Sequence, residues 1–123
     1  MMGGVKEGLT MAYVVTDSCI LCKFTECVMV CPVNCFHEGE NMLVIDPDQC
    51  IDCGMCEPEC PTRAIHPEGE LDYVRDKFIK INRDYSQVWP VIHNSQERMP
   101  TADAYQHVTG KADRFSPNPG PGN

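Results

Sequence analysis

The fold of this chain is decided by Cys50-Ile51-Asp52-Cys53-Gly54-Met55-Cys56-Glu57-Pro58-Glu59-Cys60-Pro61. Its pattern is C-x2-C-x2-C-x3-C-P. Three thiolates two residues apart on a tight loop can bind one face of an iron–sulfur cubane, whereas the fourth, followed by proline, points away. Gly54 suits a loop whose backbone must approach sulfide closely. In chains that hold two clusters, the fourth cysteine of such a run ligates the other cluster, so the spacing is highly specific.

A second run of the same kind lies upstream, with the pattern Cys19-x2-Cys22-x4-Cys27-x3-Cys31-Pro32. By the same spacing, Cys31 completes a four-iron cluster with the three loop cysteines Cys50, Cys53 and Cys56, and Cys60 joins Cys19 and Cys27. Whether Cys22 is a ligand stays open, because two extra residues before Cys27 enlarge its loop. If Cys22 does not reach the iron, that cluster has three thiolates and three irons.

The two runs belong to an internal repeat. Val14-Val15 precedes the first run and Val44-Ile45 precedes the second, with offsets of 31 residues at the first cysteines and 29 at the cysteines before proline. Each copy predicts a strand, a cysteine loop, a short helix ending near Cys-Pro, and a further strand. The turn cluster at 38–41, followed by a strand from Met42 to Ile45, predicts a hairpin between the copies.

The part after the repeat is expected to cover it. His66-Pro67-Glu68-Gly69 breaks the pattern, and a helix is predicted from Leu71 to Gln87 and ended by Trp89-Pro90. Its apolar stripe should pack on the core and consists of Leu71, Val74, Phe78, Ile81 and Tyr85. Beyond Met99 the sequence is polar, and residues 116–122 are expected to be disordered or loosely draped.

Composition indicates metal ligands rather than disulfides. The chain has nine cysteines in 123 residues, an odd number. No secretory signal is recognised at the N-terminus and no window approaches a membrane span, which predicts a reducing cytoplasm where clustered cysteines bind metal. Paired C-x2-C units could also form a zinc ribbon, but two runs ending in C-x3-C-P are not a zinc spacing.

Charge is concentrated in the cysteine-bearing half. Residues 1–66 carry ten acidic and three basic side chains, hence −7 of the net −8. A nucleic acid or an anionic membrane is disfavoured as a partner, since this half would repel phosphate. A partner with a basic docking face is favoured, although the acidity could serve solubility alone.

These motifs resemble the seven-iron bacterial ferredoxins. The resemblance is carried by Ala-Tyr-Val-Val-Thr-Asp from Ala12, by the enlarged first loop, by Cys31-Pro-Val-Asn-Cys-Phe36, and by the second run through Pro61. It continues through the predicted helix to Val88-Trp89-Pro90, about two thirds of the chain. Residues 1–11 precede the point at which such proteins typically begin.

The resemblance implies a ferredoxin-like α+β fold, with a pseudo-twofold two-cluster core and a C-terminal helix and extended tail packed around it. It implies one [3Fe-4S] cluster at Cys19, Cys27 and Cys60, and one [4Fe-4S] cluster at Cys31, Cys50, Cys53 and Cys56. Cys22 and Cys35 would then be free. The predicted parts are an extension at 1–11, a dicluster core at 12–66, a helical cover at 67–98 and an irregular tail at 99–123.

The expected function is electron transfer rather than catalysis. Every iron would be capped by cysteine or missing, so no open position is left for a substrate, and no acid–base or nucleophilic constellation accompanies the ligands. We therefore expect a monomeric, low-potential one-electron carrier between oxidoreductases such as ferredoxin reductases or terminal oxidoreductases. The alternatives are an electron-transfer subunit of a larger redox complex, a double [4Fe-4S] ferredoxin, or a three-iron cluster that senses iron or oxygen.

Overall fold

The computed structural model describes residues 12–71 and 76–123, and within them it has short strands and short helices joined by long loops. The strands are β1 (Tyr13–Val15), β2 (Phe36–Glu38), β3 (Leu43–Ile45) and β4 (Ile65–Pro67). The helices are α1 (Glu26–Val30), α2 (Lys77–Tyr85) and α3 (Ala102–Tyr105). Single 3-10 turns lie at Asp17–Cys19, Glu57–Glu59, Glu68–Glu70 and Ala112–Arg114. The predicted small α+β class is confirmed.

Two antiparallel strand pairs form the centre. β1 pairs with β4, with Val15 opposite Ile65, and β2 pairs with β3, with Phe36 opposite Ile45. The second pair is the predicted hairpin. Each cysteine run therefore leaves one strand pair and enters the other, so both runs are anchored at both ends on paired strands.

The core is small and lies between the strand pairs, α2 and the cysteine loops. Its fully buried side chains include Ile20, Phe36, Met42, Ile45 and Ile65. Most of the cysteines are buried in the same cluster of side chains. Apolar packing and the cysteine sulfurs thus share one interior, which is expected for a chain too small to be held by apolar burial alone.

Helix α2 begins later than its apolar stripe predicts. Leu71 was expected to start it, but the 3-10 turn at Glu68–Glu70 ends there and Leu71 is extended, with ψ of 135°. Val74 lies outside the described residues. In the helix itself Phe78 is buried, and Ile81 and Tyr85 are half-buried against the core. These three residues of the predicted stripe pack on the core, and the predicted start of the helix at Leu71 is wrong.

A polar residue, Asn82, connects α2 to the strands by hydrogen bonds. Its side-chain oxygen accepts the N–H groups of Val15 (3.0 Å) and Ile45 (2.8 Å). Its amide nitrogen donates to the carbonyls of Val15 (2.9 Å) and Phe78 (2.8 Å). The side chain is 2 % exposed, so one buried amide satisfies backbone groups of both strand pairs, a role that hydrophobic periodicity cannot reveal.

The second copy of the repeat lacks the predicted short helix. The first copy has α1 in this place, whereas the second has only the 3-10 turn Glu57–Glu59, with Pro58 in its first turn. Backbone geometry nevertheless corresponds between the copies, because residues with positive φ fall at matching positions. Leu21 and Lys23 flank Cys22 as Asp52 and Gly54 flank Cys53, and Asn34 and Arg63 each come third after a cysteine that precedes proline.

The C-terminal tail is not loosely draped, and that expectation is wrong for residues 116–122. Pro119 forms a β-bridge with Gly39, and the backbone N–H of Gly120 donates to the Glu38 carbonyl at 2.9 Å. The indole N–H of Trp89 donates to the Pro117 carbonyl at 3.0 Å. Residues 116–122 form no helix or strand but are ordered, because their backbone groups find partners on the hairpin and on the buried indole. The segment 99–123 as a whole was predicted to be irregular, but it contains α3 and the 3-10 turn Ala112–Arg114.

Residues 1–11, predicted to be an extension, lie outside the described residues. Among the residues that the structure does describe, no helix has both the length and the apolar character needed to span a bilayer.

Candidate iron–sulfur centre

The structure brings the predicted ligands into two groups. One cavity is lined by the four cysteines predicted to hold the four-iron cluster, which are Cys31, Cys50, Cys53 and Cys56. Cys35 lines the same cavity. The other three predicted ligands, Cys19, Cys27 and Cys60, interact electrostatically with one another. Helix α1, which carries Cys27, packs on the 3-10 turn that precedes Cys60.

Backbone N–H groups point at sulfur in both groups. In the group of Cys19, Cys27 and Cys60, the N–H of Leu43 donates to Cys19 Sγ and that of Ala64 donates to Cys60 Sγ, each at 3.4 Å. In the predicted four-iron group, the N–H of Asp52 donates to Cys50 Sγ at 3.4 Å, and that of Cys35 donates to Cys31 Sγ at 3.5 Å. Such donors stabilise negative charge on thiolate sulfur, so these sites suit anionic iron–sulfur clusters.

Burial makes several of these thiols poor acids when no metal compensates their charge. It raises the pKa of Cys19 to about 12, with a further increase from Cys60. Burial also raises the pKa of Cys56 to about 12, with added contributions from Cys50 and Cys31. Metal binding needs thiolates, so cluster insertion must release protons from these sites.

Cys31 is half-buried, and it differs from the other predicted ligands because Cys35 lies beside it. The two sulfurs are 3.3 Å apart. The hydrogen bond from Cys35 lowers the pKa of Cys31 to about 5, whereas its bond to Cys31 raises the pKa of Cys35. The Cys35 side chain thus favours the thiolate form of Cys31. The spacing C-x3-C allows this contact but does not by itself predict it.

The sulfur spacing argues against a mononuclear metal. In tetrahedral zinc sites, sulfurs bound at 2.3 Å lie about 3.8 Å apart. Within residues 12–71 and 76–123, the one group of three or more candidate ligand atoms all within 4.8 Å of one another is Glu57, His66 and Glu70. No three cysteine sulfurs in the described chain are that compact. This does not match a mononuclear tetrahedral site.

Two features favour glycine at position 54: its backbone conformation and the lack of space for a side chain beside Tyr13. Its φ is +75°, and a Cβ atom there would lie 2.7 Å from the Tyr13 hydroxyl oxygen. The loop carrying Cys53 and Cys56 is thus folded closely against β1. The sequence predicted a close approach of this backbone to sulfide, which stays a prediction, and the close neighbour in the structure is a tyrosine.

Cys22 interacts electrostatically with Cys19 and Cys60, and its sulfur also makes contacts that sequence reasoning missed. It is fully buried, and its sulfur lies 3.5 Å from Lys111 Nζ and 3.9 Å from the Ala102 carbonyl oxygen. Both partners belong to the C-terminal segment predicted to be irregular. A lone lysine in a polar stretch carries no sequence signal for such a contact.

The surface next to the four-iron site combines apolar and acidic side chains. Ile51 and Met55, on the loop of the second run, are 57 % and 55 % exposed. Asp52 and Glu59 are exposed beside them. A solvent-facing apolar pair within an acidic rim is a composition suited to transient protein contact.

Fold and site together define a small iron–sulfur protein of α+β architecture. A family described as "4Fe-4S binding domain" matches residues 43–66, and a "Domain of unknown function (DUF3470)" matches residues 76–116. The chain is 54 % identical over 113 residues to "Ferredoxin-1" of Caulobacter vibrioides, covering 91 % of this chain and 99 % of that one. It is 44 % identical over 111 residues to "Ferredoxin" of Rickettsia felis, covering 88 % and 98 %.

The chain belongs to the ferredoxin family. It is an iron–sulfur electron carrier, and the predicted family, the iron–sulfur cofactor and the general function are confirmed at this level.

Proposed function

We propose that this ferredoxin carries single electrons between oxidoreductases through one [3Fe-4S] and one [4Fe-4S] cluster. The proposed three-iron ligands are Cys19, Cys27 and Cys60, and the proposed four-iron ligands are Cys31, Cys50, Cys53 and Cys56. The observation that carries the unequal pair of clusters is the set of contacts made by Cys22. It interacts electrostatically with Cys19 and Cys60, but its sulfur is in contact with Lys111 Nζ and the Ala102 carbonyl. Only three cysteines are then left to hold that cluster.

The proposed core, residues 12–66, is pseudo-twofold. The matching positive-φ residues in the two runs and the two antiparallel strand pairs support this symmetry. Each run contributes its last cysteine to the other run's cluster, so the clusters share short covalent connections. Residues 67–98 are proposed to act as the helical cover, residues 99–123 as the tail and residues 1–11 as an extension.

Iron–sulfur clusters supply reversible one-electron oxidation and reduction when bound. The residues of this chain cap the metal, exclude water and tune the potential. The donors from Leu43, Ala64, Asp52 and Cys35 stabilise the added negative charge, whereas the net charge of −8 opposes the uptake of an electron. Burial of six of the seven proposed ligands to at least an intermediate degree also disfavours the more negative reduced form. We propose that the negative charge of the chain and the burial of the ligands outweigh the hydrogen-bond donors, which gives a low reduction potential.

The cluster mixture is tested by electron paramagnetic resonance of anaerobically purified protein. We expect a signal from an oxidised three-iron centre as isolated, a signal from the reduced four-iron centre after strong reduction, and about seven irons per chain. About eight irons with no three-iron signal would instead establish the double [4Fe-4S] alternative.

We further propose that the protein works as a cytoplasmic monomer that docks on basic faces of reductases or terminal oxidoreductases. The exposed Ile51 and Met55 within their acidic rim would form the contact. Gel filtration of the lysate fraction that contains the protein separates this role from that of a subunit in a larger redox complex. Elution at the size of one chain supports the carrier, and stable co-elution with a large partner contradicts it.

Electrostatic docking predicts a strong dependence on salt. The second-order rate of electron delivery to a ferredoxin reductase should fall about tenfold between low and high ionic strength, because the screening length shrinks from about 30 Å at 0.01 M to about 3 Å at 1 M. Asp52→Asn combined with Glu59→Gln should flatten this dependence. Asp113→Asn, an exposed acid in the tail, is the matched control and should leave it unchanged. A rate indifferent to salt would contradict docking through charge.

A further inference from the structure

The side chain of Lys111 is buried although it carries a charge, with 2 % of the residue exposed. Its Nζ donates to the carbonyls of Ser18 (3.0 Å), Ile20 (2.6 Å) and Tyr105 (3.1 Å). Its fourth neighbour is Cys22 Sγ at 3.5 Å. Three carbonyls therefore fix the ammonium in place, and the sulfur of Cys22 lies against a cation that cannot easily move.

The segment that carries Lys111 is attached to the loop of Cys22 at further points. The N–H of Met99 donates to the Cys22 carbonyl at 3.0 Å, and the Thr101 hydroxyl donates to the Leu21 carbonyl at 2.5 Å. The backbone N–H of Lys111 donates to the Asp17 carboxylate at 2.9 Å. The C-terminal segment thus holds both the backbone and the side chain of this part of the first run.

The second run contains an internal comparison for Cys22. Cys53 lies between Asp52 and Gly54, both with positive φ, just as Cys22 lies between Leu21 and Lys23. Cys53 is exposed and lines the four-iron cavity, whereas Cys22 is fully buried against the C-terminal segment. The backbone next to the two cysteines is alike, so two differences distinguish their sulfurs: the two extra residues before Cys27 and the contacts of Cys22 with the C-terminal segment.

We propose that Lys111 is a positioning residue that holds the Cys22 sulfur away from the proposed three-iron cluster and thereby keeps a fourth iron from being ligated there. This inference rests on the proposed three-iron assignment. The step that Lys111 would block is balanced as follows. A reduced [3Fe-4S]0 core takes up one Fe²⁺ to give [4Fe-4S]²⁺, an Fe–S bond forms to Cys22, and the proton of its thiol passes to the solvent.

The test uses the full chain with three variants, Lys111→Met, Cys22→Ala and the double variant. Each is incubated anaerobically with excess Fe²⁺ and dithionite, desalted and reoxidised mildly. Iron per chain and the signal of the oxidised three-iron centre are measured. The four-iron signal after reduction serves as the folding control, because it arises from a site in which Lys111 takes no part.

We expect the wild type and Cys22→Ala to keep about seven irons and the three-iron signal, and Lys111→Met to reach about eight irons with at least fivefold loss of that signal. The double variant should return to about seven, since the ligand is gone. Lys111→Gln replaces Lys111→Met if the latter lacks its four-iron signal, because its amide can still donate to the carbonyls.

Retention of the three-iron signal in a folded Lys111 variant would overturn the proposal, as would conversion that persists in the double variant. An untreated wild type with about eight irons would overturn the three-iron assignment itself. The two failures are therefore distinguishable.

Discussion

Cys56→Ala is expected to remove the four-iron cluster and with it most of the folding stability. The mutated sulfur lies on the loop that also carries Cys50 and Cys53, and no other cysteine is available in that loop. Metal ligation at structural sites supplies on the order of 10 kcal/mol, which equals the whole stability of many domains. We expect iron to fall by about four atoms per chain and cooperative thermal unfolding to disappear.

The matched control is Cys35→Ala. Cys35 lines the same cavity and contacts Cys31, but it is not a proposed ligand. Its replacement should keep the iron content and change the four-iron potential, because one hydrogen-bond donor to the Cys31 sulfur is lost. If Cys35→Ala lost four irons while Cys56→Ala kept them, the proposed ligand set would be wrong.

Glu38→Ala is expected to destabilise the folded chain by about 3–5 kcal/mol, because it leaves a buried cation without its partner. The Glu38 side chain is fully buried and pairs with Lys23 at 2.8 Å. It also accepts the backbone N–H of Gly122 at 2.8 Å and the side-chain amide of Gln96 at 2.5 Å. One carboxylate thus joins the hairpin, the first cysteine run and the tail. The measurement is denaturant unfolding of the holoprotein.

Two further variants separate charge from packing. Glu38→Gln keeps one oxygen and should cost about 2–4 kcal/mol, and adding Lys23→Met should recover part of this loss, since the unpaired ammonium is then absent. The exposed pair Arg98–Asp103 is the matched control, and Asp103→Asn should change stability by under about 0.5 kcal/mol. Equal effects of Glu38→Gln and Asp103→Asn would contradict the buried-pair account.

Several elements followed from local sequence alone. The hairpin was predictable from a turn cluster beside an apolar strand, and the covering helix from its apolar spacing. The start of that helix was not predictable from the stripe, because Leu71 has the apolar spacing of the helix but is extended after a 3-10 turn. Asn82 was missed for a related reason. Its importance lies in four hydrogen bonds to residues in β1, β3 and α2, and no periodicity encodes them.

The C-terminal segment 116–122 was also mispredicted from local sequence, in this case as looser than it is. Its Pro- and Gly-rich composition predicted looseness, because such sequences form neither helices nor regular ladders. It is ordered because Trp89 and Glu38 offer hydrogen-bond partners from elsewhere in the chain. Composition describes what a segment can do alone, and it does not describe the surface on which the segment lies.

What the sequence determined by itself is the class of cofactor and the family, because metal ligation depends on cysteine spacing within a few residues and that spacing is local. What only the tertiary structure decided is the surroundings of Cys22. Its sulfur meets an ammonium 89 positions further along the chain. A contact of that separation arises from packing of the whole C-terminal segment, and the short-range pattern around Cys22 contains no trace of it.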